Sequence, residues 1–212
     1  MAPTHQADNS TESGDSRPAR SLPGSLLIGG LGFCVVSIAI FATVAFAERW
    51  MYSHLGMPGA YLAWTLLFML LGGRVFSLLA RGPQRILRFH VLFAAAFLSY
   101  AVGWMSAYFT VGGAFREWLG SFLGSCLMAL VIAAGFGVLR SAPSLSALLF
   151  IGNSAGYFLG SRVNDTVQGT TGMLLWGAVY GLFVGAGLGA AVHVSQSHRA
   201  PGSMSESETM DV

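Results

Sequence analysis

The stretch that decides the fold is Ser144–His193, which reads SLSALLFIGNSAGYFLGSRVNDTVQGTTGMLLWGAVYGLFVGAGLGAAVH. It holds two apolar runs, Leu145–Ser161 and Thr170–His193, joined by a short polar loop, Arg162–Gly169. Glycine recurs at every fourth position of both runs, namely at Gly152, Gly156 and Gly160, and then at Gly177, Gly181, Gly185 and Gly189.

A spacing of four residues advances an α-helix by only about 40° beyond one full turn, so each glycine series forms a shallow groove along one helix face. Grooves of small residues allow helices to approach closely in lipid, where apolar side chains alone provide little driving force. The two runs therefore predict a tightly packed hairpin of transmembrane helices, with the glycines as packing residues of a glycine zipper. The spacing leaves open whether the glycines pack within one chain or between chains.

The composition also indicates a membrane protein. Of 212 residues, 54% are hydrophobic and 9% are charged, whereas about a quarter of the residues of a soluble protein are charged. The formal charge of +2 is too small to indicate nucleic-acid binding. Cys34 and Cys126 both lie in apolar runs, without the spacing of a metal or redox site, so we predict no metal and no cofactor.

Six apolar runs are long enough to be membrane spans, since a span needs about 20 residues, with a range of about 17–25. The four runs before the hairpin are Ser25–Ala47, Tyr61–Ala80, Phe89–Val111 and Trp118–Leu139. Leu145–Ser161 is the shortest run, and a re-entrant or tilted segment is the alternative there. We therefore predict an all-α bundle of about six transmembrane helices over residues 25–193. The polar tails, residues 1–24 and 194–212, are expected to be disordered.

Arginine placement predicts the orientation. If the N-terminus is cytoplasmic, most arginines fall in cytoplasmic segments, and each of the three on the other side (Arg49, Arg116 and Arg162) has an acidic residue nearby. This asymmetry follows the positive-inside rule, so we expect both termini in the cytoplasm. All eleven basic residues are arginine, which is typical of a GC-rich genome. We expect a multi-pass protein of a bacterial inner (plasma) membrane.

Asn153 is the most informative polar residue within a predicted span. An amide in the bilayer core is costly unless it is paired, so it forms an interhelical hydrogen bond or lines a polar cavity. In the second case Tyr157 and the loop residues Arg162, Asn164 and Asp165 would belong to the same ligand site. Alternatively, these loop residues form an ordinary helix-ending turn.

Two further sets of side chains have alternative interpretations. Arg74 lies inside the second span, where it either extends to the headgroups or, with Arg81, Arg85 and Arg88, binds anionic lipid headgroups. Tyr100, Trp104 and Tyr108 form an aromatic stripe, which is typical of packing or of the interfacial belt, but which would also suit a hydrophobic ligand groove.

The sequence offers no catalytic residues: paired carboxylates, a phosphate loop and a nucleophile–histidine motif are all missing, so an enzyme is not expected. Two hypotheses follow. The first is a non-catalytic structural or accessory subunit, which assembles through the glycine faces as a homo-oligomer or within a membrane complex. The alternative is a small-solute transporter or substrate-binding membrane component with a polar site around Asn153 and the Arg162–Asp165 loop.

Overall fold

The computed structural model describes residues 20–80, 85–113 and 115–198, and these residues form α-helices and one 3₁₀ turn, without β-strands. The prediction of an all-α protein is confirmed for this part of the chain. The helices are α1 (Leu22–Leu79), α2 (Arg85–Thr110), α3 (Phe115–Phe136), α4 (Ala142–Val167) and α5 (Gly169–Ser197), with a 3₁₀ turn at Leu139–Ser141. Four of them, α1, α2, α3 and α5, are long and apolar enough to cross a membrane. α4, which contains the least certain predicted span, is not one of them.

α1 is divided into two antiparallel arms by a break at Gly56. This residue has φ 66° and ψ 173°, a backbone conformation that is essentially restricted to glycine. The second arm (residues 57–79) folds back along the first (residues 22–55), so that Gly32 packs against Val75 and the rings of Phe33 and Phe68 lie 6.2 Å apart. The two predicted spans fall within these arms, but the polar connection between them is helical except at Gly56.

α5 packs most extensively on α1, through the second glycine series. A Cβ atom added to Gly181, Gly185 or Gly189 would overlap a backbone oxygen of the first arm of α1, that of Phe33, Gly29 or Ser25 respectively. The two backbones can therefore approach this closely only because glycine has no side chain at these positions.

The first glycine series lies against a different face of α5. Gly152 faces the backbone of Phe183, and its neighbours Gly156 and Gly160 face Tyr180 and Trp176. The two glycine series thus do not face each other: α4 uses its glycines to approach α5, whereas α5 uses its own to approach α1. The spacing predicts a groove on each helix, but it carries no information on which helix fills that groove.

Two long-range hydrogen bonds satisfy backbone carbonyls at helix ends. The Arg88 guanidinium donates to the Gly135 carbonyl near the end of α3, at 3.1 Å, and the Gln196 amide donates to the Leu79 carbonyl at the end of α1, at 3.2 Å. The last four carbonyls of a helix lack partners within it, so these bonds stabilise both ends. Arg88 therefore has a structural contact in addition to its proposed place at the lipid headgroups.

The boundaries of three predicted segments differ from the structure. Residues 22–24 and 194–197, assigned to the tails, are helical, and residues 1–19 and 199–212 lie outside the described residues. The predicted loop Arg162–Gly169 is also mostly helical, since α4 continues to Val167 and the chain turns only at Gln168. Polar residues beyond an apolar run still satisfy their backbone best by continuing the helix.

Of the proposed lipid-binding arginines, Arg81 and the side chain of Arg85 lie outside the described part of the chain.

Candidate ligand-binding site

Asn153 forms the centre of a buried hydrogen-bond network between three helices. Its Nδ2 donates to Ser121 Oγ on α3 at 2.8 Å, and Ser121 Oγ is in turn 2.8 Å from Ser154 Oγ. The Tyr180 hydroxyl on α5 donates to Asn153 Oδ1 at 3.1 Å. With 7% of Asn153 exposed, the amide is satisfied by protein groups and not by bulk water.

A small cavity of about 30 Å³ adjoins this network and is lined by Asn153, Tyr180, Tyr100 and Ser125, together with apolar side chains. Ser125 is 1% exposed, and its hydroxyl has no hydrogen-bond partner among the described residues. A space of this size is enough for one or two water molecules when polar partners are present. We call this space the polar pocket after its four hydrogen-bonding residues, although most of its wall is apolar, and it has room for a small polar atom group.

A larger cavity of about 350 Å³ lies between both arms of α1 and helices α2, α4 and α5. Its volume falls within the range of roughly 300–1,000 Å³ typical of small-molecule sites. Ser37, Ile40 and Thr65 contribute to its wall, but most of the wall is aromatic. The aromatic lining consists of the tryptophans Trp64, Trp104 and Trp176, the tyrosines Tyr100, Tyr157 and Tyr180, and the phenylalanines Phe41, Phe68 and Phe97.

The aromatic cavity and the polar pocket share four wall residues, Phe68, Phe97, Tyr100 and Tyr180. The two spaces are therefore neighbours, separated by these rings. Tyr180 belongs to both, since its ring lines the larger space and its hydroxyl bonds to Asn153. The larger space is mainly aromatic, and the smaller one lies next to the Asn153 network on the other side of these rings.

The electrostatics of the site are those of neutral dipoles. None of the described residues that line either space is acidic, basic or a histidine. The indole Nε1 atoms of Trp64 and Trp176 are buried and have no hydrogen-bond partner in the described part of the chain. An indole N–H only donates, and a buried donor without a partner costs about 1–3 kcal/mol.

Several aromatic side chains of the larger cavity rest directly on a glycine of a neighbouring helix. At each of these positions a Cβ atom would come within about 3 Å of the aromatic residue, so only glycine leaves the necessary space. The pairs are Trp104 on Gly120, Tyr100 on Gly124, Trp176 on Gly160 and Phe41 on Gly177. The glycine spacing in the sequence therefore also positions the wall of this site.

The structure brings together only part of the residue set proposed from the sequence. Asn153 and Tyr157 line the two cavities, whereas Arg162, Asn164 and Asp165 lie in the last turns of α4 and line neither. Arg162 and Asp165 are exposed. Of the aromatic stripe, Tyr100 and Trp104 line the larger cavity, while Tyr108 stacks on Trp104 and packs beneath the Arg116 guanidinium, 4.2 Å from its ring centre.

Four residues of the site were not predicted from the sequence, namely Ser121, Ser125, Trp64 and Trp176. Ser121 and Ser125 follow Gly120 and Gly124 at the same spacing, and this repeated pair was the available signal for a polar, closely packed face of α3.

The described residues contain no group of three or more His, Cys, Asp or Glu side chains that could hold a metal ion. No family model, curated protein or solved structure matches this chain.

Proposed function

We propose that the protein is a multi-pass membrane protein that binds a small, mainly apolar molecule, as a substrate-binding component or a small-solute transporter. The observation that carries this proposal is the 350 Å³ cavity, which has nine aromatic side chains in its wall and adjoins the Asn153 network. A wide apolar space with a few converging polar groups is the usual form of a small-molecule site.

We propose six membrane crossings, made by the two arms of α1 and by α2 to α5. The antiparallel arms support two crossings for α1, and the 26 residues of α4 extend about 39 Å, more than the roughly 30 Å of a hydrocarbon core. Arginine placement favours cytoplasmic termini in an inner membrane. In this topology Trp64 and Trp176 lie near the outer helix ends, so the cavity would occupy the outer half of the bilayer.

The arginines fit the same topology. Arg74 is exposed and lies five residues before the end of α1, on the side that the topology assigns to the cytoplasm. There its guanidinium would reach the phosphates of anionic lipids, as would Arg88.

The accessory-subunit hypothesis has weaker support. Contact of the glycine faces with a partner would require them to be free, but Gly181, Gly185 and Gly189 are covered by the chain's own α1, and Gly152 and Gly156 by its own α5. An assembly role would therefore need a surface other than these glycines.

Native mass spectrometry after gentle purification from native membranes tests the proposal. The expected result is a protein carrying a discrete additional mass. Thr65→Trp fills the larger cavity and should abolish this mass, whereas Thr65→Val preserves the side-chain volume and should retain it. Ile40→Trp on the opposite arm serves as a second filling variant if Thr65→Trp does not fold.

A bare wild-type chain, or the same adduct in wild type and in both filling variants, would contradict the proposal. Thermal unfolding of all variants shows whether the loss of the adduct reflects a filled cavity or a disrupted fold.

A further inference from the structure

We infer that the larger cavity opens sideways into the lipid, through a gap between the second arm of α1 and α2, and that its ligand is a neutral molecule that enters from the hydrocarbon of the bilayer. This inference rests on the proposed function and specifies the class of the ligand and its route. We call the opening the lateral gap, and its sides are Leu62 and Thr65 on α1 and Tyr100 and Ala101 on α2.

The second arm of α1 and α2 touch over only part of their length. A Cβ atom on Gly72 or Gly73 would lie 2.7 Å from the ring that faces it on α2, and the ring centres of Phe68 and Phe97 lie 4.7 Å apart. These contacts follow an antiparallel register, in which the pairs are Gly73 with His90, Gly72 with Phe93, and Phe68 with Phe97. Over its whole length, however, α2 packs much less extensively on α1 than on α3.

The cavity begins where the next contact of this register would fall. One turn beyond Phe68 and Phe97, the register brings Thr65 on α1 opposite Tyr100 on α2. Both residues line the larger cavity, as does Trp104 one turn further along α2. The cavity is not enclosed but is open to the surface of the protein. The two helices therefore border an opening from this turn onwards.

Burial along the face of α1 that points to α2 indicates the same separation. Leu62 precedes Gly73 by eleven residues, so the two lie within about 20° of each other around the helix axis. Gly73 is buried, whereas 59% of Leu62 is exposed. On α2, Ala101 follows His90 at the same spacing and is also partly exposed. The face that packs on α2 in one half of the second arm is thus uncovered in the other half.

The lateral gap is flanked by apolar side chains. Leu66 on α1 and Val102 and Met105 on α2 lie beside it, and they are 46%, 61% and 52% exposed. In the proposed topology all three lie within membrane spans, at the depth of the hydrocarbon. Exposed apolar side chains at this depth contact lipid, so lipid and not water meets the cavity at the lateral gap.

Towards the helix ends the same cavity is bordered by large aromatic side chains. Trp104 stacks on Tyr108 with ring centres 4.8 Å apart, and the Arg116 guanidinium lies 4.2 Å from the centre of the Tyr108 ring. On α1, Tyr61 packs edge-on against Trp64 at 5.5 Å. A route from the outer water would run past these rings and a charge, whereas Thr65 and Ala101 at the lateral gap are small.

The lining of the cavity favours a neutral ligand. None of its described residues is acidic, basic or a histidine. An ion that leaves water for such a space loses far more solvation than neutral dipoles return, and it is also scarce in the hydrocarbon. A neutral apolar molecule is concentrated in the bilayer and meets apolar surface at every point of this route.

Two photoreactive diazirines of similar shape test the route. The neutral 3-iodophenyl trifluoromethyldiazirine dissolves in the bilayer, whereas the anionic 4-(trifluoromethyldiazirinyl)benzoate stays largely in the water. Membranes that contain the full chain are illuminated with either probe, and the modified residues are mapped by mass spectrometry. We expect the neutral probe to modify the cavity residues Thr65, Tyr100 and Trp104 at least about 10-fold more than the anion does. Modification of Leu66 by the neutral probe is the internal standard for lipid contact.

Ala101→Trp tests whether the lateral gap is the entrance. The indole occupies the gap and leaves the cavity itself free, because Ala101 is not part of the cavity wall. We expect modification of the cavity residues by the neutral probe to fall at least 5-fold, with Leu66 unchanged. Ala95→Trp is the matched control, because Ala95 is exposed and lies about 120° away around α2. Leu62→Trp closes the gap from α1 and replaces Ala101→Trp if thermal unfolding shows that this variant does not fold.

Three outcomes would overturn the inference. Equal modification of the cavity residues by both probes would show that the cavity is reached from water. Modification of Leu66 without the cavity residues would show that the cavity is closed to lipid. Unchanged modification in folded Ala101→Trp or Leu62→Trp would show that the neutral probe enters elsewhere. The mass carried by the purified chain, and its loss in Thr65→Trp, is measured without these probes, so the proposed function is judged separately.

Discussion

Tyr180 on α5 donates its hydroxyl to Asn153 Oδ1 on α4 across 3.1 Å, and this bond links the wall of the aromatic cavity to the buried polar network. The same amide donates through its nitrogen to Ser121 on α3. One side chain thus fixes the relative positions of three helices and the orientation of one cavity ring.

Replacing Asn153 should measurably weaken the fold. Asn153→Ala leaves the Tyr180 hydroxyl without its acceptor and Ser121 without one donor, so we expect a loss of roughly 1–2 kcal/mol in the free energy of unfolding. Reversible unfolding in mixed micelles measures it. Ser106→Ala is the control, because this exposed hydroxyl bonds only to a carbonyl of its own helix. Equal losses in the two variants would contradict a structural role for the amide.

The contact between α1 and α5 predicts a strong effect of a single methyl group. Gly185→Ala places a Cβ against the Gly29 carbonyl and Phe33, and we expect about 1–3 kcal/mol of destabilisation, because overpacking forces the helices apart. Gly112→Ala has open space around the new methyl group and should be neutral. Thermal unfolding compares the two, and similar midpoints would show that the helices do not approach this closely.

A substitution at the α4–α5 turn should stabilise the protein. Gln168 has φ 56° and ψ 172°, a conformation that costs a side-chain-bearing residue about 1–3 kcal/mol. Gln168→Gly should relieve this strain, so that roughly 1 kcal/mol is gained after the greater entropy of the unfolded glycine chain is subtracted. Gln168→Ala retains the strain and serves as the control. An unfolding temperature that does not rise in Gln168→Gly relative to Gln168→Ala would argue against this turn.

The proposed six crossings predict which positions face the outside. On a background lacking Cys34 and Cys126, a membrane-impermeant maleimide should label His54→Cys, Gly112→Cys and Thr166→Cys in intact cells. Arg140→Cys should react only after permeabilisation. The His54 position is decisive, because it lies beside the Gly56 break. If this position is protected in intact cells but labelled after permeabilisation, the protein has the opposite orientation. If it is protected in both conditions, the two arms of α1 are not joined by an exposed outer turn.

The sequence predicted best those features whose absence would cost the most free energy, such as a partner for a polar group in the membrane. An amide in an apolar run must be satisfied, and this argument alone selected Asn153, which the structure places in a hydrogen-bonded network beside a cavity. The four-residue glycine spacing predicted close helix packing for the same kind of reason. The partner of each groove was not predictable, because a groove is defined by missing atoms and fits any helix of suitable shape.

The remaining site residues carried no such signal. A tryptophan in an apolar run is ordinary in a membrane protein, so the unpaired donors of Trp64 and Trp176 appear only when their neighbours are known. Arg162 and Asp165 are conspicuous in the sequence because they are charged, but α4 extends past them and carries them away from the cavity. Charge marks the end of an apolar run more reliably than it marks a binding site.

The aromatic rings that rest on glycines limit how far the larger cavity can widen. Behind Trp104 and Trp176 there is helix backbone at Gly120 and Gly160 and no side chain that can change rotamer. A molecule too large for the space cannot be accommodated by pushing these rings outwards, as in a pocket lined by flexible methionines. A larger ligand would therefore need these helices to move apart, a motion of microseconds to milliseconds, whereas a ligand that fits the space needs no such step.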